Sequence, residues 1–426
     1  MTAKSKSLMT RPSEFASARV HSSGDQKDDQ GLTSLSPSIA LLFSVTCGLA
    51  VANVYFAQPL LDSMAHSLGV ATERIGIVVT MTQIGYALGL LLLVPLGDLV
   101  NRKRLVLTQI VLCAFALAAV GASSTWPVLL AAMVGVGLMA VLVQVLVAYS
   151  AVLAAPSQRG QAIGTVTSGI VLGILLARFI AGLIADLAGW RAVYFVSSGL
   201  MLALAAVVYK YVPDIPTRQT KGGYAGLIRS LFALLLNEPV LQIRGLLALL
   251  IFAAFSVLWT ALVLPLSAPP LSLPHTVIGL FGLAGVAGAL AARRAGGWAD
   301  RGLGSRVSGL ALGLLTLSWL PIGFAQTSLL ALVGGIVVLD FAVQAVHVTN
   351  QSLIFAARPD AQSRMVGVYM FFYSTGSALG ATAATQTYAR WGWPAVSLLG
   401  AAISATAWGL WFLTSRCPTS RQGRPL

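Results

Sequence analysis

Gly189-Trp190-Arg191-Ala192-Val193 and Gly392-Trp393-Pro394-Ala395-Val396 are two versions of one pentapeptide set 203 residues apart. The likeness runs back through the segments before them, so that 154–196 lies over 357–399. Pro156 falls on Pro359, Gly164 on Gly367, Gly173 on Gly376 and Leu176 on Leu379. Further upstream, at a shift of 199, Gly97, Asn101 and Arg102 fall on Gly296, Asp300 and Arg301. Such a duplication in an apolar chain points to two like bundles around a central axis, with a route for a solute between them.

Composition identifies the solvent. Of 426 residues, 57% are hydrophobic and only 9% charged, and the mean hydropathy is +0.84. Too few water-seeking groups remain to cover a surface, so the natural medium is a bilayer. Apolar runs long enough to cross about 30 Å of hydrocarbon as helices are predicted at 38–61, 74–96, 104–123, 127–153, 161–187, 191–211, 244–266, 276–292, 306–325, 328–356, 364–388 and 394–415. The many glycines in these runs report close helix packing.

Charge orients the spans. Of 27 Lys and Arg, 23 fall on one side: the N-terminal tail, Arg102 to Arg104, Arg159, Lys210 to Arg244, Arg293 to Arg306, Arg358 with Arg364, and the chain from Arg416 onward. Arg74, Arg191 and Arg390 take the other side, and Arg178 alone is left inside a span. By the positive-inside rule both termini are expected in the cytoplasm, which requires an even number of spans. Topology and contact with anionic lipid account for the net charge of +14, so nucleic acid is not needed as a partner.

The soluble parts follow. Residues 1–36 are expected to be a disordered cytoplasmic tail and not a signal peptide, since the first apolar run starts late and is long enough to span. The first bundle is placed at 37–211, a cytoplasmic central loop at 212–243, the second bundle at 244–415 and a cytoplasmic tail at 416–426. The loop carries Pro213, Pro216 and Gly222-Gly223, with a short helix expected on the membrane surface over Leu227 to Leu236. Cys47, Cys113 and Cys417 are too few and scattered for a disulfide frame, a metal site or a cofactor.

The two upstream motifs read Gly97-Asp98-Leu99-Val100-Asn101-Arg102-Lys103-Arg104 and Gly296-Gly297-Trp298-Ala299-Asp300-Arg301-Gly302-Leu303-Gly304. An Asp or Asn there can cap the next helix and sit beside the cations, in pairs that form and break as two bundles rock. The bland alternative is that Arg102 to Arg104 only anchor the loop to lipid phosphates. Two such motifs at equivalent places among twelve spans resemble the G-x-x-x-D-R-x-G-R signature of the major facilitator superfamily, and the resemblance covers about residues 38 to 415. It implies an all-α membrane protein with twelve transmembrane helices in two pseudo-symmetric six-helix bundles, the major facilitator fold. It also implies gating by Gly97, Asp98, Asn101, Arg102, Gly296, Asp300 and Arg301. Asn101 stands where the family has an acid, and Asp98 is the carboxylate at hand.

The tenth span carries a polar stripe. Asp340, Gln344, His347 and Asn350 or Gln351 recur at spacings of three and four, on one helix face. Polar side chains at membrane depth usually face a wet cavity or a protein partner. Asp340 lies roughly 17 Å into its span at 1.5 Å per residue, near mid-bilayer, where ionisation is costly and a carboxyl group suits proton carriage. Asp340, His347 and Arg178 are the candidates for proton coupling; for each, a structural hydrogen bond or ion pair is the competing reading. Arg178 lies in the periplasmic half of helix 5, either reaching outward to the interface or pairing with a carboxylate or an anionic substrate.

The resemblance implies a central cavity lined by helices 1, 4, 7 and 10. At similar depth these offer Asn53, Tyr55 and Gln58, then Gln144 and Tyr149, then Trp259 and Thr260, then Gln344, Asn350 and Gln351. Asn53, Tyr55, Gln58, Gln144, Trp259, Gln344, Asn350 and Gln351 are the candidate substrate contacts, with Gln83 and Tyr86 of helix 2 behind them. Helix-to-helix hydrogen bonding is the alternative role for each. The expected protein is a monomeric secondary active transporter of the inner membrane, exporting a small organic solute in exchange for protons. A solute importer or facilitator, a membrane-embedded enzyme and a non-transporting sensor are the alternatives. No Walker motif is present to suggest ATP drive, and no clustered nucleophile, base and metal set supports an enzyme.

Overall fold

In hydrocarbon, a spanning chain satisfies its backbone hydrogen bonds within itself, and helices do so residue by residue. The computed structural model of the protein describes residues 36–154, 158–214, 223–286, 304–358 and 362–416, and its regular structure is helical throughout. The first span is α1 (Pro37–Tyr55), continued through a 3-10 turn (Gln58–Leu60) into α2 (Leu61–Leu68). Ser36 caps α1 by accepting from the Ile39 amide, with Pro37 at the position that needs no N–H. Next come α3 (Thr72–Ile75) with α4 (Ile77–Leu92), α5 (Arg102–Ala122), α6 (Trp126–Ala140) with α7 (Leu142–Leu153), α8 (Arg159–Ala188) and α9 (Trp190–Tyr211).

A helix is present where a short surface helix was expected: α10 (Tyr224–Asn237), tied to the second span by a hydrogen bond from the Tyr224 hydroxyl to the Leu92 carbonyl at 2.9 Å. The seventh span, α11 (Pro239–Ala261) with α12 (Val263–Ser267), starts before the expected residue 244 because Pro239 opens the helix as its first residue. Then follow α13 (His275–Leu280) with the 3-10 turn Phe281–Gly285, α14 (Gly304–Ile322), α15 (Leu329–Ala357) and α16 (Gln362–Arg416). Among the described residues ten helical runs are long and apolar enough to span a membrane. The last is two helices that meet at Gly392, and the eighth span begins at His275.

The duplicated pentapeptides now have a physical cause. Gly189 and Gly392 both hold φ in the left-handed region, at 79° and 71°, where a side chain is strained. Each turns the chain from one span straight into the next, and the tryptophan that follows, Trp190 or Trp393, is buried.

Within a bundle, glycine sets the helix spacing. A Cβ on Gly85 would strike the Val134 carbonyl, and one on Gly137 the Thr82 carbonyl, so α4 and α6 touch backbone to backbone. Gly137→Val is expected to destabilise the protein by about 2 kcal/mol or more, because rigid backbone cannot yield as a side-chain tip can. Thermal unfolding in detergent checks this; an unchanged midpoint would contradict the packing.

Two seams join the bundles. Along α4 and α16, the Thr80 hydroxyl meets Thr382 at 2.7 Å and the Ala378 carbonyl at 2.9 Å, and Thr385 donates to the Glu73 carbonyl at 3.1 Å. Along α8 and α13, Gly182 and Gly279 lie against the opposing backbone. All these contacts lie toward the end remote from the termini.

Candidate functional site

Pro59 ends the regular part of the first span, and the resulting 3-10 turn carries Gln58 toward α8. There Gln58 Oε1 accepts from Arg178 Nε at 2.8 Å. Arg178 is only 3% exposed. Its backbone lies against Gly279 and its stem against Gly282, which permits α13 to approach where a larger residue would push it off. The guanidinium sits 3.9 Å from the centroid of the Trp259 ring, 5.1 Å from that of Tyr55 and 5.7 Å from that of Phe255. Of the readings offered for Arg178, the outward reach to the interface is not the one its contacts favour: its close partners all lie within the protein.

Trp259 links this cation to the acid. Its indole N–H donates to Asp340 Oδ1 at 3.3 Å, and Asp340 is 6% exposed. Arg178 and Asp340 interact through their charges without forming an ion pair. The Tyr55 and Tyr373 hydroxyls share a hydrogen bond of 2.5 Å that joins the two bundles at this level. Tyr55 and Gln58, Arg178, Trp259 and Asp340, proposed from four spans in the sequence, thus form one cluster drawn from both halves.

The rest of the tenth-span stripe forms a second, adjoining cluster. Phe252 packs on Tyr373 with ring centroids 4.0 Å apart and edge-on to His347 at 5.1 Å. His347 Nδ1 lies 2.9 Å from the Tyr369 hydroxyl, and the Gln351 amide donates to Nε2 at 3.3 Å. Asn350 Oδ1 accepts from Arg244 at 3.5 Å. Both His347 nitrogens are thus occupied by neutral partners. Gln344 is half-buried on the same helix.

Other candidates are placed elsewhere. Asn53 accepts from Ser197 at 2.6 Å and points its amide at the Cys113 sulfur, so it serves packing inside the first bundle and does not join the cluster. Gln144 donates to the Tyr86 hydroxyl at 3.4 Å. Tyr149 donates to the Pro213 carbonyl at 2.6 Å, and Thr260 lies near Ser256. Of the loop motif, Asn101 caps α5 by accepting from the Arg104 amide at 3.0 Å, and donates to Asp214; Arg102 Nε donates to the Gly97 carbonyl at 3.0 Å. The Asp98 side chain, Gly296, Asp300, Arg301 and Cys417 lie outside what the structure describes, as do residues 1–35.

One constellation escaped the sequence reading. At the end remote from the termini Asp186 of α8 accepts the His275 and Thr276 amides at 3.1 and 2.7 Å and the Thr276 hydroxyl at 2.6 Å. It also pairs with His275 Nδ1 at 2.8 Å, while His275 Nε2 lies 2.6 Å from the Ser63 hydroxyl. Asp186 and Ser63 belong to one bundle, His275 and Thr276 to the other, so the group is a latch between them. Its only trace in the sequence is an acid at the end of one span and a Pro-His-Thr at the start of another.

Comparison with known proteins bears on the family and the fold. The sequence profile of the Major Facilitator Superfamily matches residues 42–307. The uncharacterized transporter YgaY of Escherichia coli O157:H7 is 44% identical over 378 residues, covering 89% of this chain and 96% of that one. Two solved structures share the fold. A bacterial homolog to the human lysosomal transporter Spinster, inward-facing and occupied, superposes with a TM-score of 0.74 at 14% identity, over 91% of this chain and 98% of its own. The human organic anion transporter MFSD10 gives 0.66 at 19% identity, over 88% and 100%.

Proposed function

This chain belongs to the major facilitator superfamily and is a membrane transporter of that type, and from that premise we propose that it exports a small organic solute across the inner membrane in exchange for protons. The observation that carries the proposal is Asp340, an acid at mid-span between the bundles, facing Arg178 across Trp259. Its carboxylate is costly to keep ionised at that depth unless a counter-charge is near. Arg178 offers that counter-charge, while a proton or a cationic group of the solute neutralises Asp340 directly. Alternating access then exposes Asp340 first to one side and then to the other.

Orientation follows from the cation count of 23 to 3. With both termini cytoplasmic, the latch at Asp186 and the seam at Thr80 close the outer side, and the described state faces inward. Reporter fusions before residue 36, at Thr220 and after Arg416 are all expected to report cytoplasm; a periplasmic signal at Thr220 would overturn the arrangement.

Exchange is tested by proton release. Adding a transported solute to detergent-solubilised protein in weak buffer should liberate protons, and Asp340→Asn should abolish the signal. Solute binding without proton release from the unaltered protein would remove the exchange.

A further inference from the structure

Arg178 and Asp340 each keep hydrogen-bonding capacity that the fold leaves unused. Nε of Arg178 is taken by Gln58 and one face of the guanidinium by Trp259, yet Nη2 is buried with no hydrogen-bond partner among the described residues. Oδ1 of Asp340 is taken by Trp259, and Oδ2 lies beside Gly285, where a Cβ would come within 2.8 Å of it. Oδ2 receives no hydrogen bond among the described residues. A buried guanidinium N–H left without an acceptor is expensive. Trp259 holds the two groups apart, one on its face and one at its edge, so neither satisfies the other.

We propose that the transported solute is a zwitterion of the α-amino acid kind, with its carboxylate on Arg178 Nη2 and its ammonium on Asp340 Oδ2. This rests on the proton-exchange reading of the same site and names its substrate class. Charge balance favours it: cation and carboxylate together are neutral, and a zwitterion keeps the dry site neutral, whereas a simple anion or cation leaves one unpaired charge. The rings of Tyr55 and Phe255 lie beside the guanidinium, with Phe252 and Tyr373 packed behind them, a setting that suits an apolar or aromatic side chain. Exchange follows from the same contact, since the ammonium takes the place of the proton on Asp340 and that proton leaves to water on the open side. The cavity beside Arg178, lined by Gln58, Trp259 and Ile278 among others and not by Asp340, measures about 10 Å³, room for one water-sized group, so the solute enters only as the site widens.

The test uses the full chain in detergent and calorimetric titration with the standard α-amino acids, singly, and with the methyl ester and N-acetyl form of each that binds. At least one amino acid is expected to bind, and blocking either end should weaken it about 100-fold, because a site built to bond a group rejects the analogue lacking it. Asp340→Asn should weaken the amino acid but not the N-acetyl form, and Arg178→Lys should retain part of the affinity. No binding by any amino acid, or equal binding by a blocked analogue, would overturn the proposal. An ester bound by the unaltered protein and lost in Asp340→Asn would overturn the zwitterion while leaving proton exchange intact. An N-acetyl form bound with proton uptake would overturn both.

Discussion

Asp340→Asn abolishes proton-driven accumulation of solute, down to the level of empty vesicles, while exchange of solute for solute survives once the solute concentration is raised to offset the weaker binding. Asn keeps the shape and can still accept from the Trp259 indole, but it cannot gain or lose a proton. A neutral side chain imitates the protonated carboxyl, so both bundles can still rock when no proton has to move, and solute held by its other contacts can be carried across. The substitution also leaves Arg178 without its nearby counter-charge, and that separates coupling from stability. If Asp340 serves structure alone, expression and both transport modes fall together. Gradient-driven uptake and counterflow are measured side by side in vesicles; undiminished gradient-driven uptake would remove Asp340 from the mechanism.

Asp186→Ala opens the end remote from the termini. The carboxylate holds the His275 and Thr276 amides, the Thr276 hydroxyl and the His275 ring, all from the opposite bundle. The group is partly solvated, with about a quarter of the side chain exposed, so each bond is worth less than a buried one. Losing the set costs the closed form about 1–2 kcal/mol, a 5–30-fold shift in the ratio of the two states. Spin labels at His66 and Ser272, both exposed and on opposite bundles, report that ratio as a longer distance population. An unchanged distribution would show that the Thr80 to Thr385 seam holds that end without the latch.

Some of this was legible in the sequence for definite reasons. Gly189 and Gly392 leave a trace because their backbone conformation tolerates little else. Asp340 and His347 were visible because charge and imidazole are rare at membrane depth and their spacing puts them on one face. Asn101 was readable as a cap because its side chain acts within its own turn. What could not be read depends on distant partners. Arg178 turns inward because Gly279 and Gly282, about a hundred positions further along, let α13 press against it. Asn53 and Gln58 have similar chemistry five residues apart, yet one bonds Ser197 and the other Arg178. Tyr373 carries no sign of its role in the sequence, because the Tyr55 hydroxyl it meets comes from the other half. The Asp186 latch joins the ends of two spans, and periodicity within either one carries no sign of it.

Proton-driven exchange through Asp340 is tested most directly in proteoliposomes with an acidic lumen, bathed in a metabolite mixture that includes the amino acids. Mass spectrometry of the lumen should show at least one small organic solute accumulating above its outside concentration. That accumulation should collapse with a protonophore and be missing with Asp340→Asn. Accumulation that is indifferent to the pH gradient, or equal in Asp340→Asn, would contradict proton exchange at this site.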